Sequence, residues 1–108
     1  MDTSGETLTR LEATIRQRLG ASPEESYVAK LHAKGLPIIA RKLGEEAVET
    51  IIAALSGTRE ELTGEAADVL FHLLVLLAEK DVPLADVLAE LDRREGTSGL
   101  DEKAARSR

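Results

Sequence analysis

The sequence predicts an all-α protein, a helical bundle of four to five helices completed by homodimerisation. Three observations lead there. Aromatic residues make up only 2% of the 108 residues, so the core must be assembled from Leu, Val, Ile and Ala, and Ala, Leu and Glu are strong helix formers. Apolar residues recur at helical spacing in one segment after another. Glycine, proline and capping residues separate those segments at short intervals, as the connections of a bundle require.

Leu8, Leu11, Ile15 and Leu19 share one helical face, and Gly20 stops that helix. Ser22-Pro23-Glu24-Glu25 is then expected to open a short second helix, with Ser22 as cap, Pro23 at the first position and Glu25 closing a capping box. That helix carries Tyr27, Val28 and Leu31 and ends near Gly35. Pro37 opens a third helix that runs to about Leu55, with Leu43, Ala47, Val48, Ile51, Ala54 and Leu55 as its expected core face. Ser56-Gly57 ends it, and Thr58-Arg59-Glu60-Glu61 forms a second capping box. The fourth helix runs from there to about Lys80. Asp81-Val82-Pro83 breaks the chain before a last helix bearing Leu84, Val87, Leu88 and Leu91. One domain is expected over residues 1–96, followed by a polar tail at 97–108.

Composition narrows the function classes. A formal net charge of −6 argues against a nucleic-acid or anionic-membrane partner. Without cysteine there are no disulfides, thiolate metal sites or cysteine nucleophiles. The first residues lack the basic and apolar regions of a signal peptide, and the longest apolar run, Val69 to Leu77, is interrupted by His72 and too short to span a bilayer. A cytoplasmic protein is expected.

Two acidic signatures carry the chemistry, Glu45-Glu46-Ala47-Val48-Glu49 and Glu65-Ala66-Ala67-Asp68. Glu46 and Glu49 are three residues apart, as are Glu65 and Asp68, so each pair shares one helix face. Fifteen residues separate Glu49 from Glu65, which suits an antiparallel hairpin that brings the pairs opposite each other. On the fourth helix Glu61, Glu65, Asp68, His72 and Glu79 fall within about 60° of one another, and almost everything else is apolar. A stripe with no cation before Lys80 is not an ordinary solvated face. Clustered, partly covered carboxylates either hold protons or bind cations. Oxygen ligands without cysteine favour Mg²⁺, with Mn²⁺ as a substitute, so Glu46, Glu49, Glu65 and Asp68 are the expected metal ligands. The competing reading is a set of solvated acids in helical i,i+3 and i,i+4 contacts. His72, one turn beyond Asp68, is open to three roles: orienting a ligand, touching substrate, or packing as a core histidine. The fourth helix is apolar over too much of its circumference for a short chain to cover alone, hence the expected homodimer.

Longer stretches of the chain carry a likeness. Ser26-Tyr27-Val28-Ala29-Lys30-Leu31 with Lys34-Gly35, the run from Arg41 to Glu49, and the run from Glu65 to Leu77 resemble the phosphoribosyl-ATP pyrophosphohydrolase family. Arg94 with Ser98-Gly99-Leu100-Asp101-Glu102-Lys103 is similar to that family's C-terminal end, and Lys42-Leu43-Gly44-Glu45-Glu46-Ala47-Val48-Glu49 is the most specific block. The acidic pairs alone are shared by the wider group of all-α nucleoside-triphosphate pyrophosphohydrolases. The resemblance implies hydrolysis of phosphoribosyl-ATP, between its α- and β-phosphates, to phosphoribosyl-AMP and pyrophosphate in histidine biosynthesis. It also implies substrate contacts at Lys30, Lys34, Lys42 and His72, and a catalytic set of Glu45, Glu46, Glu49, Glu65 and Asp68, with Glu45 either a further ligand or the base that takes the water's proton. A house-cleaning nucleotide pyrophosphohydrolase and a non-catalytic helical dimerisation module are the alternatives.

Overall fold

The computed structural model describes residues 4–95 and Arg106, so the polar tail expected at 97–108 lies almost wholly outside the described residues. Among the described residues five helices follow one another: α1 (Ser4–Arg18), α2 (Tyr27–Lys34), α3 (Leu36–Ser56), α4 (Arg59–Glu79) and α5 (Leu84–Arg94). The all-α bundle is as expected, and among the described residues no helix is long and apolar enough to cross a membrane.

The α3–α4 hairpin is the frame. Its turn is centred on Gly57, eight residues from both Glu49 and Glu65 and eleven from both Glu46 and Asp68. Eighteen residues out, Ile39 and Val75 also face each other, and both are fully buried. Thr58 opens α4 as expected, its hydroxyl accepting from the Glu61 amide at 3.1 Å. Gly57 is needed for closeness: a Cβ there would lie 3.0 Å from the Ala53 carbonyl oxygen and 2.8 Å from a Glu61 carboxylate oxygen.

Two expectations are corrected. The second helix starts later than Ser22. Residues 22–26 form a turn in which the Glu25 and Ser26 amides both reach the Ser22 carbonyl, and the Ser22 hydroxyl donates to Glu24 instead of capping. Ser26, buried and in extended conformation, is the cap, accepting from the Ala29 amide at 3.2 Å. Starting there turns Val28 and Leu31 into the core with Ile15, Ile39 and Val75.

The core face of α3 is the second correction. Val48, Ile51 and Leu55, expected inside, are exposed at 55%, 58% and 83%. The buried residues are Ile39 and Ala53, on the side that carries Glu46. The acids of α4 face α3, so α3 must present its own acidic side to them. Its broadest apolar face then points outward. The expectation of unpaired apolar surface therefore holds for the chain but moves largely from α4 to α3, since Leu74, Val75 and Ala78 of α4 are buried and Leu70 is half-exposed.

The α4–α5 connection is fixed from α1. Val82 N–H bonds the Leu77 carbonyl at 2.8 Å and Asp81 N–H the Ala78 carbonyl at 3.0 Å, with Asp81 at φ 55°. Arg16 holds the Asp81 carboxylate at 3.0 Å, and Glu12 accepts from the Leu84 amide at 2.6 Å, capping α5 from seventy-two residues away.

Gly35 joins α2 to α3 at φ 97°, ψ 166°, a region that only glycine enters without strain. Gly35→Ala should therefore lower stability by about 1–3 kcal/mol. Urea denaturation at fixed protein concentration checks this, and an unchanged midpoint would show that the joint relaxes.

Candidate metal centre

Folding the hairpin about Gly57 puts carboxylate oxygens of Glu46, Glu49 and Glu65 within 4.8 Å of one another. Asp68 lies one turn beyond Glu65 and outside that group of three oxygens, yet its charge acts on Glu46. One buried oxygen on Glu46 and one on Glu65 have no hydrogen-bond partner. Several acids elsewhere are matched: Glu12 and Asp81 with Arg16, Glu79 with His32, and Glu90 with Arg93 and Arg94, which hold its carboxyl down to about 2. Among the described residues, Glu46, Glu49, Glu65 and Asp68 have no such cation.

Crowding shows in the proton affinities. The Glu65 carboxyl is pushed up to about 7 by sharing a hydrogen bond with Glu49, by burial and by the Glu49 charge. Glu46 is raised by burial first, then by Glu49 and Asp68. In the absence of a cation, protons are the only positive charge the cluster can recruit.

The donor set fits a hard divalent cation. It is all oxygen, two of its atoms are buried and unsatisfied, and oxygens around a Mg²⁺ lie up to about 4.2 Å apart across the octahedron, close to the spread here. Glu49 and Glu65 also line a cavity of about 260 Å³ with Ile52, Ala53 and Glu61, so the cluster opens to a ligand-sized space. Glu61, in the α4 stripe but not among the expected site residues, therefore belongs to the wall of the site.

The other expected residues fall in different places. Glu45 stands apart from the three-oxygen cluster, 4.0 Å from Lys42, and lines a second groove on the outer side of α3 with Arg41, Val48 and Glu49. Arg41 was not singled out by sequence; the signal was its place in a row with Glu45 and Glu49 at intervals of four. Lys42 and His72 stand equally far from Gly57, at one level of the hairpin. His72 is buried, with Nδ1 2.8 Å from the Asp68 carbonyl and Nε2 3.1 Å from the Tyr27 hydroxyl, so both ring nitrogens are occupied within the protein. The structure thus gives the ring a packed position rather than an open one. Tyr27 to His72 and His32 to Glu79 are side-chain hydrogen bonds between α2 and α4, and their order along both helices shows that the two run in the same direction. Lys30 and Lys34 consequently lie progressively farther from the acids, Lys34 beside the Glu79 end of α4, which is roughly 20 Å from Glu65 along the helix.

Both arms of the helical hairpin thus aim carboxylates without a cationic partner among the described residues at one point, an acidic cluster whose oxygens suit a hard cation. The comparisons specify it. Residues 8–95 match the family model described as phosphoribosyl-ATP pyrophosphohydrolase. Proteins named phosphoribosyl-ATP pyrophosphatase are 72% identical over 100 residues in Rhizorhabdus wittichii, covering 93% of this chain and 94% of that protein. They are 68% identical over 103 residues in Novosphingobium aromaticivorans, covering 95% and 96%, and 65% identical over 99 residues in Dinoroseobacter shibae, covering 92% and 97%. The chain belongs to the phosphoribosyl-ATP pyrophosphohydrolase family.

A pH dependence follows from Glu65. Its folded value of about 7 exceeds the ordinary 4.5, so the folded chain holds a proton that the unfolded chain has lost in between. That contribution to stability is fully present below about pH 4.5 and is lost as pH rises through 7. Melting in a chelator should show this fall, Glu65→Gln should shrink it, and saturating Mg²⁺ should reverse it as binding displaces the proton. A flat profile in the chelated wild type would contradict the crowding.

Proposed function

We propose that this chain hydrolyses phosphoribosyl-ATP to phosphoribosyl-AMP and pyrophosphate, the second step of histidine biosynthesis, as a cytoplasmic Mg²⁺-dependent enzyme. The observation that carries this reading is the unpaired carboxylate cluster of Glu46, Glu49 and Glu65 within a chain of this family. Glu46, Glu49, Glu65 and Asp68 are the residues that would hold the cation. When bound, the cation supplies charge neutralisation at the triphosphate and polarises its phosphoryl oxygens. The chain's own part is alignment, because phosphoryl transfer needs positioning and electrostatics more than a covalent nucleophile. The rigid hairpin fixes the acids about Gly57, and Ile52 and Ala53 wall the cavity beside them. Lys42 and Arg41 are the cations of α3 nearest the acidic row and the best placed to meet departing pyrophosphate. Glu45, exposed in the outer groove, is assigned as a proton acceptor at the rim of the site rather than a ligand inside it.

Pyrophosphate release from phosphoribosyl-ATP, measured with and without Mg²⁺, is the direct test. Combining Glu46→Gln with Asp68→Asn should lower the rate by more than about 100-fold, the upper end for changes in the surroundings of metal ligands. Full activity in that double variant would sink the ligand assignment. Faster turnover of simple nucleoside triphosphates than of phosphoribosyl-ATP would favour the house-cleaning activity instead.

The outward row of α3, Val48, Ile51, Ile52 and Leu55, supports a homodimer. Ile52 is in both this row and the wall of the acidic cavity, so a partner seated there would complete the site's rim. Ile51→Lys with Leu55→Lys should halve the mass seen by sedimentation while leaving helical content intact. A wild-type protein that sediments as a monomer at micromolar concentration would refute the dimer.

A further inference from the structure

We infer that Tyr27 and His72 form a positioning pair for the acidic site, a role that rests on Asp68 being a ligand as proposed above. The Asp68 end of this chain of hydrogen bonds has a fixed direction. The Asp68 carbonyl can only accept, so His72 Nδ1 carries the proton and donates to it at 2.8 Å. Nε2 lies 3.1 Å from the Tyr27 hydroxyl, which can donate to a bare ring nitrogen or accept from a protonated one. The imidazole is held in one orientation, with one nitrogen on the backbone of Asp68 and the other on α2.

Packing makes the linkage stiff. Tyr27 and Phe71, the chain's only tyrosine and phenylalanine, stack with centroids 6.1 Å apart. His72 meets both edge-on, at 6.0 Å from Tyr27 and 5.2 Å from Phe71. Tyr27 is the first residue of α2, directly after the buried Ser26 cap, so its ring projects from a fixed backbone. His72 is itself only 5% exposed. Helices α2 and α4 meet through side chains rather than closely apposed backbones, with His32 to Glu79 a second hydrogen bond between them. A shift of α2 is therefore transmitted through Tyr27 and His72 to the turn of α4 that carries Asp68, one turn from Glu65. The support acts on the backbone of Asp68 and so on the point from which its carboxylate projects, one step farther out than a partner bonded to the ligating group itself.

The test separates positioning from mere packing. Tyr27→Phe keeps the stack and removes only the hydroxyl. His72→Asn keeps a donor near the Nδ1 position and loses the Tyr27 bond. Each should weaken Mg²⁺ binding by calorimetry about 10-fold and lower kcat by a similar factor, with KM for phosphoribosyl-ATP within about twofold. Their effects should not add in the double variant, because both remove one bond. His72→Gln, whose carbonyl can reach the Tyr27 hydroxyl, should recover part of the Mg²⁺ affinity. Asp68→Asn is measured alongside. If it weakens Mg²⁺ binding while Tyr27→Phe changes only the melting temperature, the pair is structural and the inference is overturned. If neither variant alters Mg²⁺ binding, the ligand assignment beneath it fails as well.

Discussion

Mutual repulsion among the carboxylates of α3 and α4 is the constraint on which the rest of the structure depends. The hairpin closes about Gly57 so that Glu49 meets Glu65 and Glu46 meets Asp68 at matching distances from the turn. Three of these groups place oxygens within 4.8 Å, and none has a lysine or arginine partner among the described residues. Such an arrangement is costly in a free protein unless protons or a cation offset it. What keeps it in place is the aliphatic packing farther along the same hairpin, where Ile39, Val75, Leu74 and Ala78 join Ile15, Val28 and Leu31. Stability is concentrated at the open end of the hairpin and the electrostatic cost near its middle. This is the separation expected of a site built for a ligand that is not part of the fold.

The peripheral helices follow from that division. Helix α1 covers the apolar side of α4 and reaches through Glu12 and Arg16 to fix the start of α5. Helix α2 is short, yet its cap at Ser26 and its ties at Tyr27 and His32 give it a defined direction along α4. That direction matters for the chemistry. It brings the Tyr27 end of α2 towards the turn of α4 that carries Asp68 and carries Lys34 away from it. In a protein of net charge −6, a polyanionic ligand at this centre would require local inversion of the field, as the proposed divalent cation would supply.

Much of the site was legible before folding because its elements are local. A pair of acids three residues apart occupies one helix face whatever the tertiary structure, and a fifteen-residue gap sets the hairpin that opposes two such pairs. The lack of cations on the α4 stripe set its acids apart from an ordinary mixed-charge face, and the structure brings Glu65 of that stripe together with Glu46 and Glu49. Other features depended on contacts between distant segments. Tyr27 and His72 are forty-five residues apart, and no spacing rule connects them. Glu61 and Arg41 could be placed on faces but not in cavities.

The sequence by itself determined the helices, most of their ends and the acidic pairs, because propensity, capping and periodicity act within a few residues. It did not determine which way α3 faces. Periodicity offered an aliphatic face through Val48, Ile51 and Leu55 and a mixed face through Ile39, Glu46 and Ala53, and burial of the larger apolar face was the natural expectation. Tertiary structure chose the other one, since the acids of α4 and the fully buried Ile39–Val75 contact lie on the same side of the hairpin. A helix has one rotation about its axis, and packing the core and assembling the charge cluster both require this one. The aliphatic row left outside is the consequence of that choice.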